Sequence, residues 1–205
     1  MTHKLYYSPG ACSISPHIAL RETQVPFDLV RVDLRTKKTA DGGDYKAINP
    51  KGYVPALGLP DGDTLTEGVA IVQYIADQNP NSKLAPKAGT RERYHLAEML
   101  NFISTELHKG ISPLFNPTIG DEYKTSLKER LALRWGFFAS SVRKSPWLFG
   151  DQFTVADGYA YYVMRAWQKF LKEDLVRWPE LVDYYARIGA RPSVVAAIAA
   201  EGIDP

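Results

Sequence analysis

The chain has 205 residues, 45% of them hydrophobic, enough for a sizeable core in one large domain or two small ones. Its 25 basic and 23 acidic residues are interspersed and sum to a formal charge of +2, which leaves no long basic stripe for a phosphate backbone and excludes nucleic acid as an expected partner. No apolar run approaches bilayer-spanning length, MTHKLYYSPG lacks the pattern of a secretory leader, and the one cysteine excludes an intrachain disulfide or a zinc site of several thiolates, so the expectation is a cytoplasmic protein with no membrane partner.

The first eighty residues alternate short β-rich runs with helical stretches. Lys4 to Tyr7 reads as a strand, Ile14 to Glu22 as a helix and Phe27 to Leu34 as a second strand, a βαβ opening. VPALGLPDGDTLTEG then supplies two short strands, Ala56 to Leu59 and Thr64 to Thr66, around a Pro-Asp-Gly turn, and a helix follows from Val69 to Gln78. A helical crossover followed by a hairpin predicts a mixed four-stranded sheet with helices on its faces, an arrangement whose best-known form is thioredoxin-like. The lone thiol, Cys12, sits between a Pro-Gly turn and the start of the first helix. Whether Ser13 or Ser15 caps that helix, Pro16 falls in its first turn, so Cys12 lies at a helix N-terminus, where the dipole favours a thiolate. A lone cysteine is also a small apolar residue suited to a core, and both readings stay open on this evidence.

NPNSKLAPKAG, with two prolines and a glycine, reads as a linker over 81–89 between a first domain at 1–80 and a helical second domain at 90–205. Leu96, Leu100, Ile103, Leu107 and Leu114 form one stripe of a long helix, with Gly110 filling one step. Glu122 to Arg143 reads as its neighbour. A third helix starts at FTVADGY, where Thr154 and Asp157 have capping-box spacing, although Gly158 denies Phe153 a staple partner. Helices near Pro179 to Ile188 and Pro192 to Ala200 complete the domain. On the long helix, Asn101, Thr105 and His108 stand at i, i+4 and i+7 and so share a face.

KLYYSPGACSISPHIALRE, NPKGYVPAL, LTEGVAIVQYIAD and LNFISTELHKGISPLF, in this order and spacing, resemble the bacterial beta-class glutathione S-transferases over nearly the whole chain. The resemblance implies a fold of an α/β thioredoxin-like domain followed by an all-α helical bundle, with glutathione as co-substrate and no tightly bound cofactor or metal. It implies a cis Val54–Pro55 bond that turns the Val54 backbone toward the tripeptide's cysteinyl unit, Glu67 and Gly68 as the γ-glutamyl site, and Lys37 near the glycyl end. It makes Cys12 the residue meeting the glutathione sulfur; Tyr6, Tyr7 and Ser13 are the competing hydroxyls, since other classes use one from this region.

In relatives the positions of Asn101, Thr105, Glu106, Leu107, His108 and Lys109 border glutathione, with His108 and Lys109 near its sulfur; His108 joins Cys12 as a catalytic candidate. Phe115, Met164 and Trp167 are candidates for a hydrophobic second substrate, although many relatives carry the tryptophan where this chain has Ala166. The implied activity is conjugation of glutathione to hydrophobic electrophiles such as activated aryl or alkyl halides, in a two-fold homodimer. Thiol–disulfide or peroxidase chemistry through Cys12, and a non-catalytic ligand-binding module, are the alternatives.

Overall fold

Leu5, at the centre of the first strand, has no exposed surface and lies between Leu29 on one side and Leu57 on the other. That pairing organises the first of two units in the computed structural model, which describes residues 2–142 and 145–204. The strands are β1 (His3–Tyr7), β2 (Phe27–Asp33), β3 (Lys38–Thr39), β4 (Ala56–Gly58) and β5 (Thr64–Thr66), in the spatial order β3-β2-β1-β4-β5. β1 runs parallel to β2 and antiparallel to β4, and β4–β5 is a hairpin, so the sheet is mixed as its connections require. It has five strands where the sequence implied four. The addition is β3, two residues paired antiparallel with Val32 and Asp33, too short to show an alternating pattern.

The helices of this unit are α1 (Ile14–Thr23), the short α2 (Tyr45–Ile48) and α3 (Gly68–Gln78). Ile14, Ile18 and Leu20 of α1 and Ile71, Val72 and Ile75 of α3 are all but completely buried. The division of the chain differs from the one expected. One unit comprises residues 1–85 with 190–205, the other 86–189. The last helix, α9 (Pro192–Glu201), therefore belongs with the sheet and not with the helical domain. Two polar ties account for this. Glu201, 5% exposed, accepts from the Gly10 N–H at 2.8 Å and pairs with His17 Nδ1 at 2.8 Å, while Arg191 and Ser193 both donate to Glu22 of α1. Arg21 Nε donates to His17 Nε2 at 3.0 Å, which leaves Nδ1 to carry the proton given to Glu201.

The second unit contains α4 (Arg91–Phe102), a π-helical turn (Ile103–His108), α5 (Lys109–Ile111), α6 (Asp121–Val142), α7 (Val155–Arg165), a second π-helical turn (Ala166–Phe170) and α8 (Pro179–Gly189). The expected second helix ended at Arg143, which lies outside the described residues. Every residue of α7 is buried, as in a central helix of a bundle. The leucine stripe faces this core through Leu96, Leu100, Ile103 and Leu107, but Ile111 continues it and Leu114 is only half-buried, because the helix changes pitch at residue 103. Gly110 allows close packing against α6: a Cβ there would come within 2.9 Å of Leu131 Cδ2, so the Leu131 side chain would have to shift to admit one.

The capping box at the start of α7 forms and reaches further than its spacing implied. The wholly buried Asp157 carboxylate accepts from the Thr154 N–H at 2.7 Å, its hydroxyl at 2.8 Å, the Leu148 N–H at 2.9 Å and the Tyr184 hydroxyl. Burial raises its pKa against the opposing pull of these donors. Asp157→Ala is expected to cost about 3 kcal/mol, since it orphans several buried donors at once, and urea unfolding monitored by circular dichroism measures the loss.

Candidate functional site

The segment from Asn49 to Pro55 is the meeting point of the first unit. Its backbone is held by the Tyr53 carbonyl, which accepts from the Tyr45 hydroxyl and from Asn49 Nδ2, both at 2.7 Å. Tyr45 is fully buried under the segment with Val32, Val54 and Ala56, and desolvation pushes its phenol up to about 12, so it acts as a fixed neutral donor. The Val54–Pro55 bond is cis, as the resemblance implied. Among the described residues the Val54 N–H has no acceptor, while the Val54 carbonyl accepts from Cys12 Sγ at 3.2 Å. The lone cysteine therefore sits against the backbone group that would receive an added strand.

Lys37 reaches the same segment from the other side. It ends a turn whose N–H groups at Arg35 and Thr36 are held by the Asp33 carboxylate, takes a left-handed φ of +59°, and donates from Nζ to the Gly52 carbonyl at 3.0 Å. The third contact comes from Lys51, whose Nζ bonds Thr66 Oγ1 at 3.0 Å and pairs with the Glu67 carboxylate. Cys12, Lys37, Val54 and Glu67 are thus linked through one run of backbone.

Glu67 is the N-cap of α3, with φ +70° and no side-chain capping bond. Such a backbone in a residue other than glycine costs on the order of 1–3 kcal/mol and is held by its surroundings. Thr66, the residue before it, ends β5 as the sequence implied. Among the described residues the N–H groups of Gly68, Val69 and Ala70 have no acceptor, which leaves the positive end of an eleven-residue helix open to an anion. A Cβ at Gly68 would meet only Pro55 Cγ at 3.8 Å, an ordinary contact, so the missing side chain opens space rather than relieving a clash.

At Cys12 the helix end differs from expectation. The Ile14 and Ser15 N–H groups are taken by the carbonyls of Ala11 and Cys12, and Pro16 has none, so the first turn of α1 offers its dipole more than a set of free donors. Ser13 is fully buried and exchanges hydrogen bonds with the Ser8 backbone, and Tyr7 is buried beside His17. Tyr6 packs on Tyr45 at 5.8 Å between ring centroids. These geometries give Ser13 and Tyr7 structural work and leave Cys12 as the half-exposed nucleophile candidate.

In the second unit the π-helical turn alters the face that α-helical spacing implied. A π turn rotates each residue less than an α turn does, so three residues at i, i+4 and i+7 do not stay in line across it. Asn101 and Thr105 are exposed, whereas His108 is half-buried between two tyrosines of α7. Its Nδ1 lies 2.7 Å from the Tyr159 hydroxyl and its Nε2 3.3 Å from that of Tyr162. Glu106 pairs with Arg134 at 2.6 Å, Leu107 is fully buried and Lys109 is exposed. Of the hydrophobic-substrate candidates, Phe115 is 47% exposed, but Met164 is wholly buried and Trp167 nearly so. Trp167 packs on Trp135 and donates to the Asp174 carbonyl at 2.9 Å. Both serve the core.

Sequence reasoning missed Lys51, Tyr159 and Tyr162. The lysine stands within the quoted NPKGYVPAL motif, yet no spacing in the sequence connects it with Glu67. The tyrosines occupy adjacent turns of α7, a signal that a buried aromatic helix also gives.

Comparison with known proteins places this geometry in context. The family model described as the glutathione S-transferase N-terminal domain matches residues 10–78, and the C-terminal domain model matches 102–192. The chain is 44% identical over 200 residues to glutathione S-transferase GstA of Escherichia coli O157:H7, covering 98% of this chain and 99% of that one. Among solved structures it resembles the bacterial glutathione transferase BphK in a ternary complex, with 55% identity, a TM-score of 0.94, and coverage of 98% of this chain and 100% of that one. A sphingomonad glutathione S-transferase complexed with glutathione is 44% identical, with a TM-score of 0.92 and the same coverage.

Burial, and secondarily the Lys109 charge, lower the His108 pKa from 6.5 to about 4. The expected outcome is an imidazole that stays neutral at pH 6. Because the unfolded chain protonates first as the pH falls below 6.5, this group's contribution to stability is complete above that value and is lost on the way to pH 4. Following the His108 imidazole signals by NMR against pH measures both the protonation and its midpoint.

Proposed function

The chain belongs to the glutathione S-transferase family and is a glutathione transferase, a premise from which we propose that its first unit holds glutathione along the 49–55 segment with the sulfur at Cys12. The observation that carries this reading is the convergence of Cys12, Lys37 and Glu67 on that one segment. The cysteinyl unit would pair with Val54 as an added strand, its N–H replacing the Cys12 thiol as donor to the Val54 carbonyl and its carbonyl accepting from the Val54 N–H. The open end of α3 suits the γ-glutamyl carboxylate, Glu67 its ammonium, and Lys37 the glycyl carboxylate. Gly68 leaves room for the ligand backbone.

With the thiol proton given up to solvent or a base, the glutathione sulfur attacks an electrophilic carbon. The carbon–sulfur bond forms as the bond to the leaving group breaks, and a halide departs with the electron pair. The dipole of α1 favours the thiolate. On the family pattern, His108 and Lys109 add polar groups near the sulfur, and Asn101, Thr105, Glu106 and Leu107 border the ligand. We propose hydrophobic aryl or alkyl halides as the electrophile class, with Phe115 as the exposed aromatic suited to one, and a two-fold homodimer in the cytoplasm.

The contact between Cys12 Sγ and the Val54 carbonyl also favours redox chemistry, since the site that receives the cysteinyl backbone brings two sulfurs near each other. A Cys12 thiolate attacking glutathione disulfide would form a mixed disulfide and release one glutathione thiolate.

Calorimetry is expected to show glutathione binding to the wild-type protein and about tenfold weaker binding to a folded Glu67→Ala, which leaves the ammonium unpaired. Wild-type affinity in that variant would remove Glu67 from the site. A panel of electrophiles at saturating glutathione reads the conjugation directly.

Incubation with glutathione disulfide is expected to add one glutathionyl group at Cys12, seen by mass spectrometry. Cys12→Ala would lose the adduct and retain part of the conjugating activity, because the helix dipole still acts on the bound sulfur. An unmodified Cys12 would return it to a packing role.

A further inference from the structure

We propose that Lys51 reads the α-carboxylate of the γ-glutamyl unit, forming with Glu67 a two-charge receptor for that zwitterion; the proposal rests on the glutathione site argued above. Lys51 Nζ lies 3.0 Å from Thr66 Oγ1 and against the Glu67 carboxylate, at the open N-terminus of α3. The side chain is well placed to stay there. The Lys51 backbone N–H donates to Asn49 Oδ1 at 3.2 Å, and Asn49 Nδ2 in turn clamps the Tyr53 carbonyl.

The pair has little to do for the fold. Lys51 is 48% exposed and Glu67 70% exposed, and an ion pair so open to water contributes little to stability and parts at little cost. In the free protein the lysine ammonium stands where the substrate's ammonium is expected to dock on Glu67. When the γ-glutamyl group arrives, its ammonium takes the Glu67 contact and its carboxylate takes the lysine. The two ion pairs of the complex replace one of the free site.

Gly68 leaves this second cation a place to act. At the first position of α3 it supplies a backbone N–H but no hydroxyl or other side-chain donor, so a carboxylate there has only main-chain partners unless a neighbour reaches in. Lys51 is a cation already in contact with the residue before it. The charges also balance. Glutathione at neutral pH carries two carboxylates and one ammonium, a single net negative charge. Lys37 and Glu67 alone sum to zero, whereas Lys37, Lys51 and Glu67 present two cations and one anion, the complement of the ligand.

The test compares glutathione with its analogue lacking the α-carboxylate, γ-aminobutyryl-cysteinylglycine, by titration calorimetry on the full chain. Lys51→Met is expected to weaken glutathione about tenfold and not to weaken the analogue, which has no group for the lysine to bind and keeps its ammonium for Glu67. Lys51→Arg, which keeps the charge, is expected to stay within about threefold of wild type for glutathione. Equal loss for both ligands would show that Lys51 only shapes the loop, and unchanged glutathione affinity in Lys51→Met would remove it from recognition; either overturns the proposal. A wild-type protein that binds neither ligand would overturn the glutathione site as a whole, an outcome distinct from both.

Discussion

The first unit depends on how one carbonyl is held. Tyr53 C=O takes two donors, a buried phenol and a side-chain amide, and this fixes the run of backbone on which Lys37, Lys51, Val54 and Cys12 converge. A peptide group with both lone pairs engaged, one of them by a residue with no exposed surface, has little freedom to rotate. The main-chain recognition proposed for Val54 would need that rigidity, because one donor and one acceptor would by their directions alone select a ligand's register. Tyr45 suits the task because its phenol remains protonated throughout the ordinary range of pH, so the clamp holds over the range in which thiols ionise.

A second constraint ties the other side of the site to the far end of the chain. Glu201 holds Gly10 by its N–H, and Gly10, at a φ of +71°, is the bend that leads into Ala11 and Cys12. The same carboxylate is met by His17 from α1, and His17 is oriented by Arg21 one turn later. Buried charges persist when their hydrogen bonds are complete, and this one has a partner at each oxygen. α9 therefore belongs with the sheet for a physical reason: detached from it, Glu201, His17 and the Gly10 amide would all lose buried partners.

Much of the first unit was legible in the sequence because its signals are local. Each element of the βαβ opening, the Pro-Asp-Gly hairpin and the start of α3 announces itself within about ten residues, and the structure has them within a residue or two. The motif around Val54–Pro55 carried the cis bond by resemblance. What escaped was set by contacts distant in sequence. β3 exists because Lys38 and Thr39 pair with β2, and the fifteen- and sixteen-residue separations between Lys51 and its partners leave no periodic trace. Glu201 lies 191 residues from Gly10, and nothing in PSVVAAIAAE distinguishes a helix that closes a helical bundle from one that returns to a sheet.

The second unit shows where periodicity itself misleads. Apolar stripes and polar faces were both read with α-helical spacing, and the stripe survived because four of its members precede or lie within the first π turn while core packing tolerates a modest rotation. The polar face did not survive, because it depends on direction: across Ile103–His108 the imidazole turns inward to Tyr159 and Tyr162, while Asn101 and Thr105 stay in water. The same departure recurs at Ala166–Phe170, where Trp167 is drawn against Trp135 and tied to the Asp174 carbonyl. His108 and Trp167 both fall on wide turns, which gather at functional sites, whereas Met164 is buried within the regular α7. The first of these turns carries His108, so the irregularity hidden from a 3.6-residue repeat is itself part of how that imidazole is placed. A histidine with a tyrosine hydroxyl at each nitrogen is held in one orientation and kept neutral by burial, and it can change partners only if one of those hydroxyls is replaced by another polar group.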